Sequence, residues 1–221
     1  MWRLIRHKLQ PEVVIDIGAN YGYTGCLLSE RLGAKRLIAI EPDPRLSSIL
    51  RMNLNQVSAN RETEIIQAAL MNHEDCITRI GINPGSTQDN RVVAQQNWRE
   101  AVVPTTSLDA ILKSVPTSSR LFIKSHTLGF DASVIKSGFK ELSRCQCWML
   151  RCEFAPNWME SQGFNPDHEL ECLCCHFQVF EAPLRTPWNS RFEGIFTRPL
   201  EAAHSKGFVD YVKTLNHNNR G

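Results

Sequence analysis

Val13-Val14-Ile15-Asp16-Ile17-Gly18-Ala19-Asn20-Tyr21-Gly22 is the stretch that decides the architecture of this chain. An apolar, β-branched run ends in an acid and a glycine-rich turn, and the turn opens a helical pattern carrying Leu27, Leu28 and Leu32. A buried parallel strand reads as a short apolar run, and the helix after it presents unpaired N–H groups at its start. The segment is therefore a strand–turn–helix that holds a nucleotide-like ligand against backbone.

The spacing of the turn narrows the ligand. A dinucleotide fingerprint needs glycine at three positions, the second for the pyrophosphate and the third for close helix packing. Here Gly18 is followed by Asn20 and Tyr23 at those positions, which weighs against a nicotinamide-dependent oxidoreductase. The order Asp16-x-Gly18-x-Asn20-x-Gly22 resembles motif I of class I S-adenosylmethionine-dependent methyltransferases, where the turn meets a compact, phosphate-free amino-acid group. Asp16 either accepts from the ligand's ammonium, directly or through water, or only braces the turn.

Outward from the turn, Arg36 to Glu41 reads as a second buried strand ending in an acid before Pro42. Glu41 lies 23 residues after Gly18, the interval at which a βαβ unit brings a carboxylate beside a ribose. Asp43 and Pro44 start a helix through Leu54, and Glu64 to Leu70 forms a third strand whose Ala68 and Ala69 leave room for adenine. Cys76 to Asn83 alternates as a short strand. Val92 to Pro104 suits a loop over the ligand site. Ser107 caps a short helix through Leu112, and Leu121 to Ser125 is a fourth strand. A helix carries Val134, Ile135, Phe139 and Leu142. A fifth strand runs from Cys147 to Cys152, followed by a helix from Asp167 to Cys175. Strands near Phe177–Glu181 and Glu193–Thr197 and a helix from Ser205 to Leu215 complete the chain. Strands alternating with helices imply an α/β fold: a Rossmann-like, mainly parallel seven-stranded sheet with helices on both faces. One domain over residues 1–221 is expected, with its core over roughly 12–200.

Two separated blocks together resemble the FkbM-type methyltransferases. The first joins Val14 through Thr24 to Ile40-Glu41-Pro42-Asp43-Pro44. The second comprises Thr106-Ser107-Leu108-Asp109, Ile123-Lys124-Ser125-His126-Thr127-Leu128-Gly129-Phe130-Asp131 and Glu153. The resemblance implies a class I methyltransferase fold, S-adenosylmethionine as donor and O-methylation of a sugar or natural-product hydroxyl. Carried onto this sequence, the donor contacts are Asp16, Gly18, Ala19, Asn20, Tyr21, Gly22, Thr24, Glu41, Pro42 and Ala69.

One departure matters. The family pattern Lys-x-Asp-x-x-Gly-x-Glu keeps Lys124 and Gly129 here, but has His126 for the aspartate and Asp131 for the glutamate. An oxygen-rich metal site loses its best ligand by that exchange, so no metal is expected. An imidazole titrating near pH 6.5 is instead a general-base candidate, at a strand end that faces the ligand crevice. Lys124, Asp131 and Glu153 then position the acceptor or the base, with a Lys124–Glu153 ion pair as an alternative.

Composition bounds the remaining classes. The formal net charge of +2, without a basic block interleaved with aromatics, disfavours nucleic acid as partner. No stretch approaches the roughly 20 apolar residues of a membrane span, and a cytoplasmic protein is expected. The eight cysteines read as reduced, mostly buried thiols, with Cys145 and Cys147 pointing the same way into a core. The expected partner is a small hydroxylated acceptor, with contacts from Asn83–Pro104, Ala155–Pro166 or Leu184–Phe192. Trp98, Trp158 and Trp188 can stack on a sugar face. A catalytically altered, donor-binding partner or regulatory subunit is the alternative from another class.

Overall fold

The computed structural model describes residues 2–57, 61–73, 76–87, 90–92, 98–179 and 196–201. In chain order the elements are α1 (Trp2–Lys8), β1 (Val13–Ile17), α2 (Tyr23–Leu32), β2 (Arg36–Ile40), α3 (Ser47–Val57), β3 (Glu62–Ile66), β4 (Ala69–Leu70), β5 (Ile77–Ile82) and β6 (Arg99–Thr106). They continue with α4 (Leu108–Leu112), β7 (Arg120–Ser125), α5 (Asp131–Lys136), α6 (Phe139–Arg144), β8 (Cys147–Phe154), α7 (Pro156–Ser161), α8 (Pro166–His176), β9 (Gln178–Val179) and β10 (Phe196–Glu201).

β1 sits inside a seven-stranded sheet of order β3-β2-β1-β7-β8-β10-β9. The first five of these strands run parallel, while β10 is antiparallel to both β8 and β9. All five residues of β1 are buried because helices cover both faces, which is why the strand is apolar at every position but Asp16. Val13, Ile15 and Ile17 pack with α4, α5, α6 and α8, whereas Val14 packs with α1, α2 and α3. The expected seven-stranded α/β architecture is therefore present. Its strand order reverses between β1 and β7, and a parallel sheet binds ligands at the carboxyl ends flanking such a switch point.

Several local expectations need correction. The 64–70 strand is two strands in different sheets: β3 pairs with β2, and β4 pairs with β6 in a small sheet of order β4-β6-β5. The segment expected as a loop up to Pro104 contains β6, which pairs antiparallel with β5. β6 is the central strand of that sheet but buries only Val103 and Thr105 of its eight residues, which is too little apolar signal to separate from a loop. The helix through Val134 and Leu142 breaks at Ser137-Gly138, where Ser137 accepts from the Leu108 amide and donates to the Val134 carbonyl. The helix expected from Asp43 starts only at Ser47. Cys145 ends α6 and Cys147 opens β8, so the two thiols pack against opposite faces of the sheet. Cys76 and Cys175 are exposed, Cys147 and Cys172 half-buried, and Cys26, Cys145 and Cys152 buried. α1, not anticipated, buries Ile5 against α2. Trp188, the 184–192 segment and the 205–215 helix lie outside the described residues. No described helix is long and apolar enough to cross a membrane.

Candidate functional site

The turn after β1 is held from beneath and from the side. Gly18, Asn20 and Gly22 all have left-handed backbone, with φ of 72°, 52° and 83°. Only glycine, and at some cost asparagine, adopts such angles readily, which accounts for those residue types at alternate positions. Gly18 also lies so close to the β7 loop that a Cβ would run into the His126 carbonyl oxygen. The Gly18 and Ala19 amides donate to the Ile40 carbonyl at the end of β2. Glu41, buried beside them, accepts from the Asn20 amide at 2.8 Å and from the Asp43 amide at 2.9 Å, one on each carboxylate oxygen. Burial pushes the Glu41 carboxyl up, against the lowering effect of those two amides.

Asp16 lies beneath the turn, one residue before the end of β1. It is completely buried, and its Oδ1 meets the Lys124 ammonium at 2.8 Å. Register explains the meeting, since Asp16 and Lys124 are paired neighbours on β1 and β7. Lys124 also donates to the Ile17 and Gly18 carbonyls at 3.2 and 3.0 Å. Its charge is thus committed beneath the turn and not to Glu153, so the cross-strand Lys124–Glu153 alternative is absent.

The second loop follows β7. Glu153 at the end of β8 meets His126 Nε2 at 3.0 Å. Burial alone would push the imidazole down, but the Glu153 carboxylate, by hydrogen bond and charge, holds it above its ordinary value. Asp131 is buried and accepts from the Ser125 hydroxyl at 2.6 Å and from the Thr127 amide at 3.1 Å. It therefore grips the residues on either side of His126. Burial raises the Asp131 carboxyl, with the Ser125 hydroxyl opposing. The His126 amide donates to the Ile17 carbonyl at 3.1 Å, which places the histidine directly beside the turn after β1.

The polar segment after β5 crosses between the two loops. Asn20 donates to the Thr87 carbonyl at 2.9 Å, the Thr87 and Tyr21 hydroxyls lie 3.1 Å apart, and Asn90 donates to Asp43 at 2.7 Å. Asp43 is fully buried; its burial is outweighed by the Arg45 guanidinium and amide, which hold the carboxyl below its usual range. On the other side the Arg91 guanidinium lies over Trp98 and Trp158, 5.9 and 5.6 Å from their ring centres. The backbone of Trp158 packs against Gly129 of the histidine loop. Thr87, Asn90 and Arg91 were not singled out from the sequence, where the clue available was the polar run from Asn83 to Asn90. Asp43 was read only as a helix start and as part of the resemblance. Among the other expected contacts, Ala19 is buried, Tyr21 and Thr24 are exposed, Pro42 is half-buried, and Ala69 packs with Ile80 and Val103 in the small sheet.

The turn at the switch point is joined through Ile17 to a histidine–carboxylate pair. Residues 16–179 match the family described as Methyltransferase FkbM domain. The chain belongs to the FkbM methyltransferases. No curated protein matches it. Among solved structures it is similar to an O-methyltransferase from Bacillus cereus in complex with S-adenosylhomocysteine, at 13% identity and a TM-score of 0.54, covering 90% of this chain and 78% of that one. An rRNA methylase from Streptococcus thermophilus is similar at 14% identity and a TM-score of 0.50, covering 91% and 93%. At such identities the likeness is one of fold.

The FkbM methyl donor is S-adenosylmethionine, and the residues at the turn fit it. Each Glu41 oxygen uses one lone pair on an amide and keeps another for a hydroxyl. α2 starts at Gly22 without a side-chain cap, leaving its first amides for a carboxylate.

Proposed function

We propose that this FkbM methyltransferase methylates a hydroxyl on a sugar or natural-product small molecule, with His126 as general base. The observation that carries the proposal is the His126–Glu153 contact at 3.0 Å, on a loop bonded to the donor turn through Ile17. The donor, when bound, supplies an electrophilic methyl on a sulfonium. A hydroxyl attacks it poorly until the proton leaves, and a positioned base contributes about 10²–10⁴-fold.

Because Glu153 engages Nε2, the nitrogen that takes the acceptor's proton is Nδ1. Glu153 fixes the ring and stabilises the imidazolium that results. Asp131 positions the same histidine through Ser125 and Thr127. Lys124 and Asp16 support the donor turn from below, while Glu41 receives the ribose hydroxyls and the start of α2 the amino-acid carboxylate. Pro42, next to Glu41, borders the adenine side.

The test is transfer to a panel of hydroxylated sugars and small molecules, followed as S-adenosylhomocysteine release, beside calorimetry with the donor. The His126→Gln protein should bind donor as before while turnover falls at least about tenfold. Unchanged turnover removes the base assignment. Donor binding without transfer to any acceptor favours the non-catalytic binding module.

A further inference from the structure

At the amino ends of the parallel strands, a strand length or about 16 Å from the donor turn, lies a concavity of about 660 Å³ lined by Arg3, Arg6, His7, Lys35, Arg120 and Glu12 among others. Four permanent cations face one carboxylate there. That is a local charge of +3 with the histidine neutral, more than the +2 of the whole chain. The one carboxylate is already in use: Glu12 accepts from the Arg120 amide at 3.1 Å and pairs with its guanidinium at 3.4 Å.

The other three cations, Arg3, Arg6 and Lys35, and the His7 ring have no ion pair or side-chain hydrogen bond among the described residues. Elsewhere Arg36, Arg45, Arg79, Lys136 and Arg144 each meet an acid. The fold also prepares two of the rim groups. Arg120 Nε donates to the Gln10 carbonyl at 2.8 Å, and the Arg6 guanidinium lies against Gly33 at the end of α2. Like charges gathered without counterions repel one another and are stabilised by an anion that bridges them. Guanidinium groups match phosphate oxygens in geometry as well as charge.

We infer that this concavity binds the oligophosphate group of a nucleotide-sized ligand, at a site separate from the donor turn. Arg3, Arg6, His7 and Lys35 are all exposed on its lining, so one multivalent anion can meet several of them together. The inference stands independently of the proposed transfer chemistry.

Calorimetry of the full chain with sodium tripolyphosphate, at low and at physiological salt, tests it. Saturable binding is expected, weakening about tenfold as salt rises and at least about fivefold in an Arg6→Gln/Lys35→Gln protein, while that protein binds S-adenosylhomocysteine as the unaltered chain does. Absence of binding, or equal binding by the double variant, overturns the inference. So does sedimentation with phosphatidylserine vesicles when tripolyphosphate does not bind, because the face would then serve a lipid surface.

Discussion

The loop after β1 and the loop after β7 are built from similar parts and spend their charges differently. Each contains left-handed residues, Gly18, Asn20 and Gly22 in one, Leu128 and Gly129 in the other. Each is gripped by a buried carboxylate that accepts backbone amides, Glu41 in one and Asp131 in the other. In the first loop the charged groups Asp16 and Lys124 are spent on holding backbone in place. In the second, the brace leaves a histidine about half exposed, paired to a carboxylate on the next strand. One loop is a cradle and the other presents a titrating group, and the difference lies in where the charges go.

Removing the charge beneath the cradle should have the largest effect. Lys124→Met leaves Asp16 buried without its partner, and such a loss costs about 3–5 kcal/mol; urea denaturation should show it. A midpoint unchanged from the parent would mean that the pair does not hold the turn. Gly18→Ala comes next, because it joins a left-handed φ to a collision with the His126 carbonyl. About 2–3 kcal/mol of stability should go, with donor affinity falling in calorimetry. This variant disturbs both loops at once.

His126→Gln sharpens the contrast by leaving the cradle intact. Its turnover loss of at least about tenfold corresponds to about 1.4 kcal/mol in the barrier, with donor affinity preserved. Glu153→Gln is the mildest and the most diagnostic. The proposed base works only when neutral, so kcat is expected to fall as pH drops through the histidine's pKa. Glu153 raises that pKa, and without it burial dominates. The acid limb of the kcat profile should therefore move to lower pH, with turnover reduced several-fold by the misoriented ring. A limb that stays in place would show that the pair does not control the proton.

The local grammar of this chain was legible because it is carried by residue type and period. Five buried positions in β1 forced an apolar run, left-handed angles forced Gly18, Asn20 and Gly22, and Ser107 capped α4 by donation from Ala110 as its position implied. The family followed from the same residues. Partnership was not legible. Asp16 and Lys124 are 108 residues apart in sequence, and only the register of β1 against β7 makes them neighbours. Glu153 found His126 and not Lys124 because the two strand ends, not the spacing, set which charges meet. β6 escaped notice because, although central in its three-stranded sheet, it buries only Val103 and Thr105 and so leaves no period in the sequence. The break between β3 and β4 leaves no mark in the run from Glu64 to Leu70. Sequence fixes what each residue can tolerate locally; the fold alone decides which distant charge shares its desolvated space, since that choice depends on strand order and on burial.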